Sequence, residues 1–170
     1  MATDTDTWFP LFEFQDWFYQ SFLVLPTDEE TDAPPGATVT AKKWAKGDFL
    51  CGQAFGSVGN PGAYTLNGVL RFAPGVELNV SAKGVNGLGN DPAPFEATGT
   101  GTGGPTKGAI YQLVGWVFPE LQNAKASGRV RSIRGSVWAA RGADTKPETE
   151  LGGMPVGTVG TFVIVSRGPA

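Results

Sequence analysis

The chain has 170 residues, 13 Lys and Arg against 16 Asp and Glu, and a formal net charge of −3, a size that suits one domain with a real hydrophobic core. An acidic chain is poorly built to hold phosphate backbones, and its one basic cluster, Arg129, Arg131 and Arg134, does not share a strand face, so no nucleic-acid partner is expected. It contains no His and a single Cys, Cys51, which removes most zinc, copper and haem ligand sets, any Ser-His-Asp or Cys-His arrangement and any internal disulfide, so neither metal nor cofactor is expected.

The opening stretch "MATDTDTWFP" lacks the basic n-region of a signal peptide, and no apolar run approaches the ~20 residues needed to cross a bilayer. A cytoplasmic protein with no membrane span is the expectation. Residues 1–36 are dense in aromatics: Trp8, Phe9, Phe12, Phe14, Trp17, Phe18, Tyr19 and Phe22. Phe14, Trp17, Phe18 and Phe22 recur at i, i+3, i+4 and i+8, which suits an amphipathic helix, with a strand at "QSFLVLP" as the alternative. Together with the acidic loop "TDEETDAPPG", this segment reads as a plug or lid packed on a domain formed by residues 37–170. A ligand-contacting lid or a subunit interface are the other readings, because so much aromatic surface is poorly placed in water.

From there on, 25 Gly and 13 Pro punctuate apolar runs of strand length. Strands are expected at 37–44, 49–58, 63–72, 76–85, 93–100, 108–118, 129–140 and 157–166, joined by turn signals such as "VGNPG", "APG" and "NGLGNDP". The connections are too short for parallel crossover helices. The fold class is therefore all-β, a single antiparallel eight-stranded β-barrel with an aromatic-rich N-terminal segment, preferred over a sandwich. Gly52, Gly68, Gly115, Gly135 and Gly160 fall inside strands, where glycine permits the tight coiling that closure needs. The long loop at 140–155, "ARGADTKPETELGGMP", is expected to fold over strand ends.

Gly99, Gly101 and Gly104 match G-x-G-x-x-G, but a dinucleotide cradle needs a helix next, and Pro105, Lys107, Gly108 and the strand-like "AIYQLVGWVF" follow instead. The segment is a turn feeding a strand. Alternation along 63–72 and 76–85 puts Tyr64, Leu66, Leu70 and Phe72 on one face, and Val76, Leu78, Val80 and Ala82 on another, opposed by Arg71, Glu77, Asn79 and Lys83. In an ordinary barrel the apolar faces point inward and Glu77 with Arg71 is an exposed cross-strand pair; in the inverted arrangement Glu77 and Asn79 line the lumen, where burial would make the carboxyl a usable acid. Phe49, Cys51, Gln53 and Phe55 form a mixed face of the kind that walls small-molecule cavities. Trp116 and Trp138 are further wall candidates, and Tyr64, Tyr111 and Glu77 are the candidate proton-handling groups.

The run "FEATGTGTGGPTKGAIYQLVGWVF", through Gly101, Thr102, Gly103, Gly108 and Ala109, resembles the Gly-Thr-Gly turn and following strand of allene oxide cyclases and plant dirigent proteins. The resemblance covers about two dozen residues and maps no catalytic residue of those families onto this chain. It implies an eight-stranded antiparallel barrel, often trimeric, whose apolar cavity directs cyclisation or coupling without a cofactor. On this reading the protein is a cofactor-independent cyclase or isomerase acting on an apolar, natural-product-like small molecule, with catalytic candidates Glu77, Tyr64 and Tyr111 and ligand-binding candidates Phe49, Cys51, Gln53, Phe55, Asn79, Trp116 and Trp138. A homo-oligomer, dimer or trimer, would accompany it. The rivals are a non-catalytic lipocalin-like carrier and a solid interaction barrel.

Overall fold

The computed structural model describes residues 16–23, 42–51, 55–57, 60–85, 91–151 and 153–166. Their regular structure is almost wholly strand: β1 (Asp16–Leu23), β2 (Lys42–Cys51), β3 (Phe55–Ser57), β4 (Asn60–Ala73), β5 (Val76–Val85), β6 (Ala93–Thr100), β7 (Ile110–Gln122), β8 (Lys125–Arg141) and β9 (Val159–Ser166). All neighbours are antiparallel, in the order β2-β1-β9-β8-β7-β6-β5-β4-β3, and β2 also pairs with β4. That last pairing closes the sheet. β3 follows β2 along the same neighbour, with Cys51 opposite Gly68 and Phe55 opposite Thr65, so eight positions go round the ring. The expected eight-stranded antiparallel barrel is what the chain forms, and closure leaves no long free edge.

The route to eight differs from the expectation at the N-terminal side. Asp16–Leu23 is a barrel strand, neither helix nor plug, held between β2 and β9. Trp17, Tyr19 and Leu23 point inward and are buried, while Phe18 and Phe22 are half-buried on the outer face. Aromatics on both faces of a period-two strand produced the false helical spacing. The barrel therefore begins before residue 37, and the division at residue 36 fails for β1; residues 1–15 and 24–41, where the rest of the covering segment was expected, lie outside the described residues. The expected strands at 37–44 and 49–58 are in turn one ring position. "KGD" at 46–48 looks like a break, yet β2 runs through it, because Gly47 lies against the Arg71 carbonyl of β4 where a Cβ has no room.

Inside, Trp17, Phe49, Leu66, Leu70, Leu78, Phe95, Leu113, Ile133 and Phe162 belong to one apolar cluster. Burying a side chain such as Phe95 stabilises the fold by about 1.5–3 kcal/mol. Trp17, Leu78, Val117, Ile133 and Val137 are completely buried, so side chains fill the lumen at their level. Gly115 and Gly135 are register partners on β7 and β8, and a Cβ on either would strike the other strand's backbone. This close crossing supplies the coiling that closure requires.

The outer wall has two characters. Across β4, β5 and β6 it carries Thr65, Asn67, Arg71, Asn79, Lys83 and Glu96, all exposed. Across β7 and β9 it exposes Val114, Trp116 and Val159. A bilayer-spanning barrel needs an apolar belt all round, which the polar half of this wall does not provide. Among the described residues no helix is long and apolar enough to cross a membrane.

Candidate active site at the capped end of the barrel

Two connections meet at the end where β4 turns into β5. The first, residues 101–109, is the glycine-rich run. It closes on itself through Gly101 N–H to the Ala109 carbonyl (2.9 Å) and Gly108 N–H to the Gly101 carbonyl (3.0 Å). The Thr106 carbonyl packs where a Cβ at Gly101 would go, and Gly108 has φ +89° with the Asp144 carboxylate against its Cα. The buried Thr106 hydroxyl lies 2.8 Å from the Glu77 carbonyl, anchoring the turn to β5. Only three residues, Gly104–Thr106, form a 3₁₀ turn here. Gly101 and Gly108 thus serve close packing.

The second connection, residues 142–158, is seated on the first. Asp144 N–H donates to the Lys107 carbonyl (2.7 Å), and the Asp144 carboxylate accepts from Arg141 (3.2 Å). Farther along, Val156 N–H donates to the Glu148 carbonyl, Glu150 N–H to the Met154 carbonyl and Gly157 N–H to the Ala139 carbonyl of β8. This self-bonded loop turns Glu150 and Leu151 inward. Leu151 packs on the core, and its N–H donates to the Tyr111 hydroxyl oxygen over 2.8 Å.

The result is a polar cluster sealed into an apolar barrel end. Glu150 is 4 % exposed, and neither carboxyl oxygen has a hydrogen-bond partner among the described residues. Burial alone pushes its carboxyl up to about 8, so the neutral acid is the majority form at neutral pH. Burial also raises the Tyr19 and Tyr111 phenols far above the ordinary tyrosine value, and the neighbouring Glu150 pushes both the same way. Trp44 of β2 completes the set: its ring centroid is 6.4 Å from that of Tyr111, it packs against Gly160 beside the Phe22 carbonyl, and its buried indole N–H has no acceptor among the described residues. Tyr19 is held by Phe72 edge-on at 6.1 Å and by Phe162 stacked at 6.2 Å. Beside the cluster, a pocket of about 380 Å³ is lined by Pro105, Ala143, Thr145, Lys146, Thr149, Glu150, Leu151 and Gly153, within the roughly 300–1,000 Å³ usual for small-molecule sites.

Of the candidates read from the sequence, Tyr111 is in this cluster and Phe49 is in the core, 1 % exposed. The others are scattered. Glu77 lies on the outer wall, its carboxylate 2.7 Å from Arg71 Nε with both side chains well exposed, and is not a lumen acid. Asn79 is also outside and donates to the Thr102 hydroxyl at 3.3 Å. Trp116 is 52 % exposed on the outer wall, and Trp138 lies on the outer face between the inward Val137 and Ala139, so neither walls the interior. Glu77 and Asn79 are outside because the apolar alternate positions of β5 took the inside, and Trp116 and Trp138 are outside because Leu113 and Val117 of β7 and Val137 and Ala139 of β8 hold the inward positions. Cys51, Phe55 and Tyr64 hold backbone positions opposite Gly68, Thr65 and Gly84, with side chains outside the description, and Gln53 lies outside the described residues. The sequence reading missed Tyr19, Trp44 and Glu150. For Glu150 a faint sign existed: it stands next to Leu151 in an otherwise polar loop, just before glycines that allow a tight return.

Among the described residues no three His, Cys, Asp or Glu stand together as a metal site would require. In comparisons with known proteins, no family model, no curated protein and no solved structure matches this chain.

Proposed function

We propose that this protein is a cofactor-independent isomerase or cyclase that takes a small, largely apolar molecule at the capped end of its barrel, with Glu150 as the proton donor. One observation carries the reading: a buried carboxyl whose two oxygens bond none of the described residues, set beside Tyr111 and Tyr19 and bordering a pocket. An unpartnered buried polar group is destabilising, and a merely structural plug is better made with Leu or a satisfied Gln. Such a cost is commonly tolerated where chemistry needs the group.

The environment suits general acid catalysis, which is most effective when the acid titrates near the working pH. Glu150 gives its proton to an oxygen of the bound molecule, the electron shift closes or moves a bond, and the carboxylate recovers a proton from carbon. Atoms and electrons balance within the substrate, so no co-reactant enters. Pro105, Ala143 and Leu151 give the pocket beside Glu150 apolar walls, and holding the reacting ends together there lowers the entropic part of the barrier. A pure carrier has no use for a buried acid between two phenols, and that grouping favours the enzyme over the lipocalin-like alternative.

Trp44 beside Tyr111 provides the reporter. Titration of the full chain with apolar ketones and epoxides should change tryptophan fluorescence, and incubation should yield isomers of unchanged mass. Glu150→Gln should keep binding while turnover falls by roughly 10²–10⁴. Conversion by the variant at the wild-type rate would refute the reading.

A further inference from the structure

Resting on that reading, we propose that the capped end recognises a carbonyl oxygen, which accepts from the Trp44 indole N–H, the Tyr111 hydroxyl and the Glu150 carboxyl, so that the substrate class is a neutral ketone or enone.

The cluster leaves three hydrogen-bonding capacities unused among the described residues. Trp44 Nε1 is buried with no acceptor among the described residues, and an indole nitrogen only donates. The Tyr111 oxygen already accepts from Leu151 N–H, and its own proton goes to no described residue. A phenol with its lone pair engaged in this way is set up to donate. Glu150 is the third unmet group, and it can donate or accept. The three lie in sequence: Trp44 against Tyr111 ring to ring, and Tyr111 bonded to the residue that follows Glu150. Trp44 can only donate and Tyr111 has a proton left to give, so the molecule that satisfies all of them must present an acceptor.

Charge narrows the class further. Burial is what displaces the Glu150 carboxyl from its ordinary range, so among the described residues no cation stands against it to hold it in ionised form. Lys146 lines the outer pocket and is itself exposed. An amine would meet Glu150 well but would face two donors it cannot satisfy. A neutral carbonyl on an apolar frame meets every requirement.

The test uses the full chain and three probes with one alkyl skeleton: 2-octanone, octylamine and octanoate. At pH 7, 2-octanone should bind about tenfold or more tighter than the other two, as expected for one to two gained hydrogen bonds. Calorimetry in two buffers of different protonation enthalpy should show no net proton exchange. The infrared carbonyl stretch of the bound ketone should fall below its value in alkane, and the fall should shrink in Trp44→Phe and Tyr111→Phe. A stretch unshifted in the wild-type protein overturns the proposal without recourse to any variant. Tightest binding of octylamine with release of about one proton, or tightest binding of octanoate, overturns the ketone class while leaving the site in place. Ketone binding and turnover both indifferent to Glu150→Gln would instead remove the site reading itself.

Discussion

The backbone N–H of Leu151 donates to the phenolic oxygen of Tyr111 over 2.8 Å, tying a loop to a strand forty residues earlier in the chain. A tyrosine at the inner mouth of β7 thus acts as the post on which the 142–158 loop hangs, and that loop delivers Glu150 to the barrel.

Tyr111→Phe keeps the ring and removes the acceptor. Leaving a part-buried N–H unpaired costs about 1–3 kcal/mol. Native-state hydrogen exchange should show the Leu151 amide and its loop neighbours exchanging at least tenfold faster, while amides of Leu78 and Ile133 in the core keep their protection. Equal loss of protection everywhere would mean that the bond supports the whole barrel rather than the loop.

Stability should fall as the solution becomes more alkaline. The Glu150 carboxyl is pushed up from 4.5 to about 8 by burial, so between those pH values the folded chain holds a proton that the unfolded chain has lost. The contribution is fully present below about pH 4.5 and is lost as pH rises through 8, an effect on the order of 3–5 kcal/mol across that window. Denaturant unfolding from pH 5 to 9 should show this decline in the wild type and a much flatter profile in Glu150→Gln, with the variant the more stable of the two at pH 9.

The glycine-rich turn permits a contrast between neighbours. A Cβ at Gly101 would run into the Thr106 carbonyl, whereas a Cβ at Gly103 meets nothing within 4 Å and the backbone there is extended, φ −162°. Gly101→Ala should cost about 1–3 kcal/mol and loosen the Asp144–Lys107 contact, while Gly103→Ala should stay within roughly 0.5 kcal/mol of wild type. Thermal melts of the two single variants decide it.

Glu77→Gln is expected to be nearly silent. Its partner Arg71 is exposed with it on the outer wall, and such pairs contribute about 0.2–1 kcal/mol. Ligand titration and turnover should match wild type, in contrast to Glu150→Gln, and a large loss of turnover would relocate the chemistry to the outside of the barrel.

The two glutamates also mark how far the sequence could be read. Glu77 sits in a strand whose alternation, Val76, Leu78, Val80 and Ala82 against Glu77, Asn79, Ser81 and Lys83, was plain; the alternation identified the strand and its two faces, and the apolar face went inside as the hydrophobic effect requires. Most strand positions from β4 to β9 were legible for that reason, and Tyr111 with them. β1 was not, because aromatics on both of its faces satisfied a helical period as well as a strand period. Glu150 was not, because a loop has no period.

Local chemistry in the sequence, then, determined that the chain forms antiparallel strands and which side of most of them avoids water, because those preferences act between residues two apart. Where a proton could be held in that barrel was decided only when β1 and β2 met β7 and the 142–158 loop. The raised affinity of Glu150 for its proton comes from the exclusion of water by Tyr19, Trp44, Tyr111 and Leu151, side chains drawn from four separate parts of the chain, and desolvation of that kind has no counterpart in any short stretch of residues.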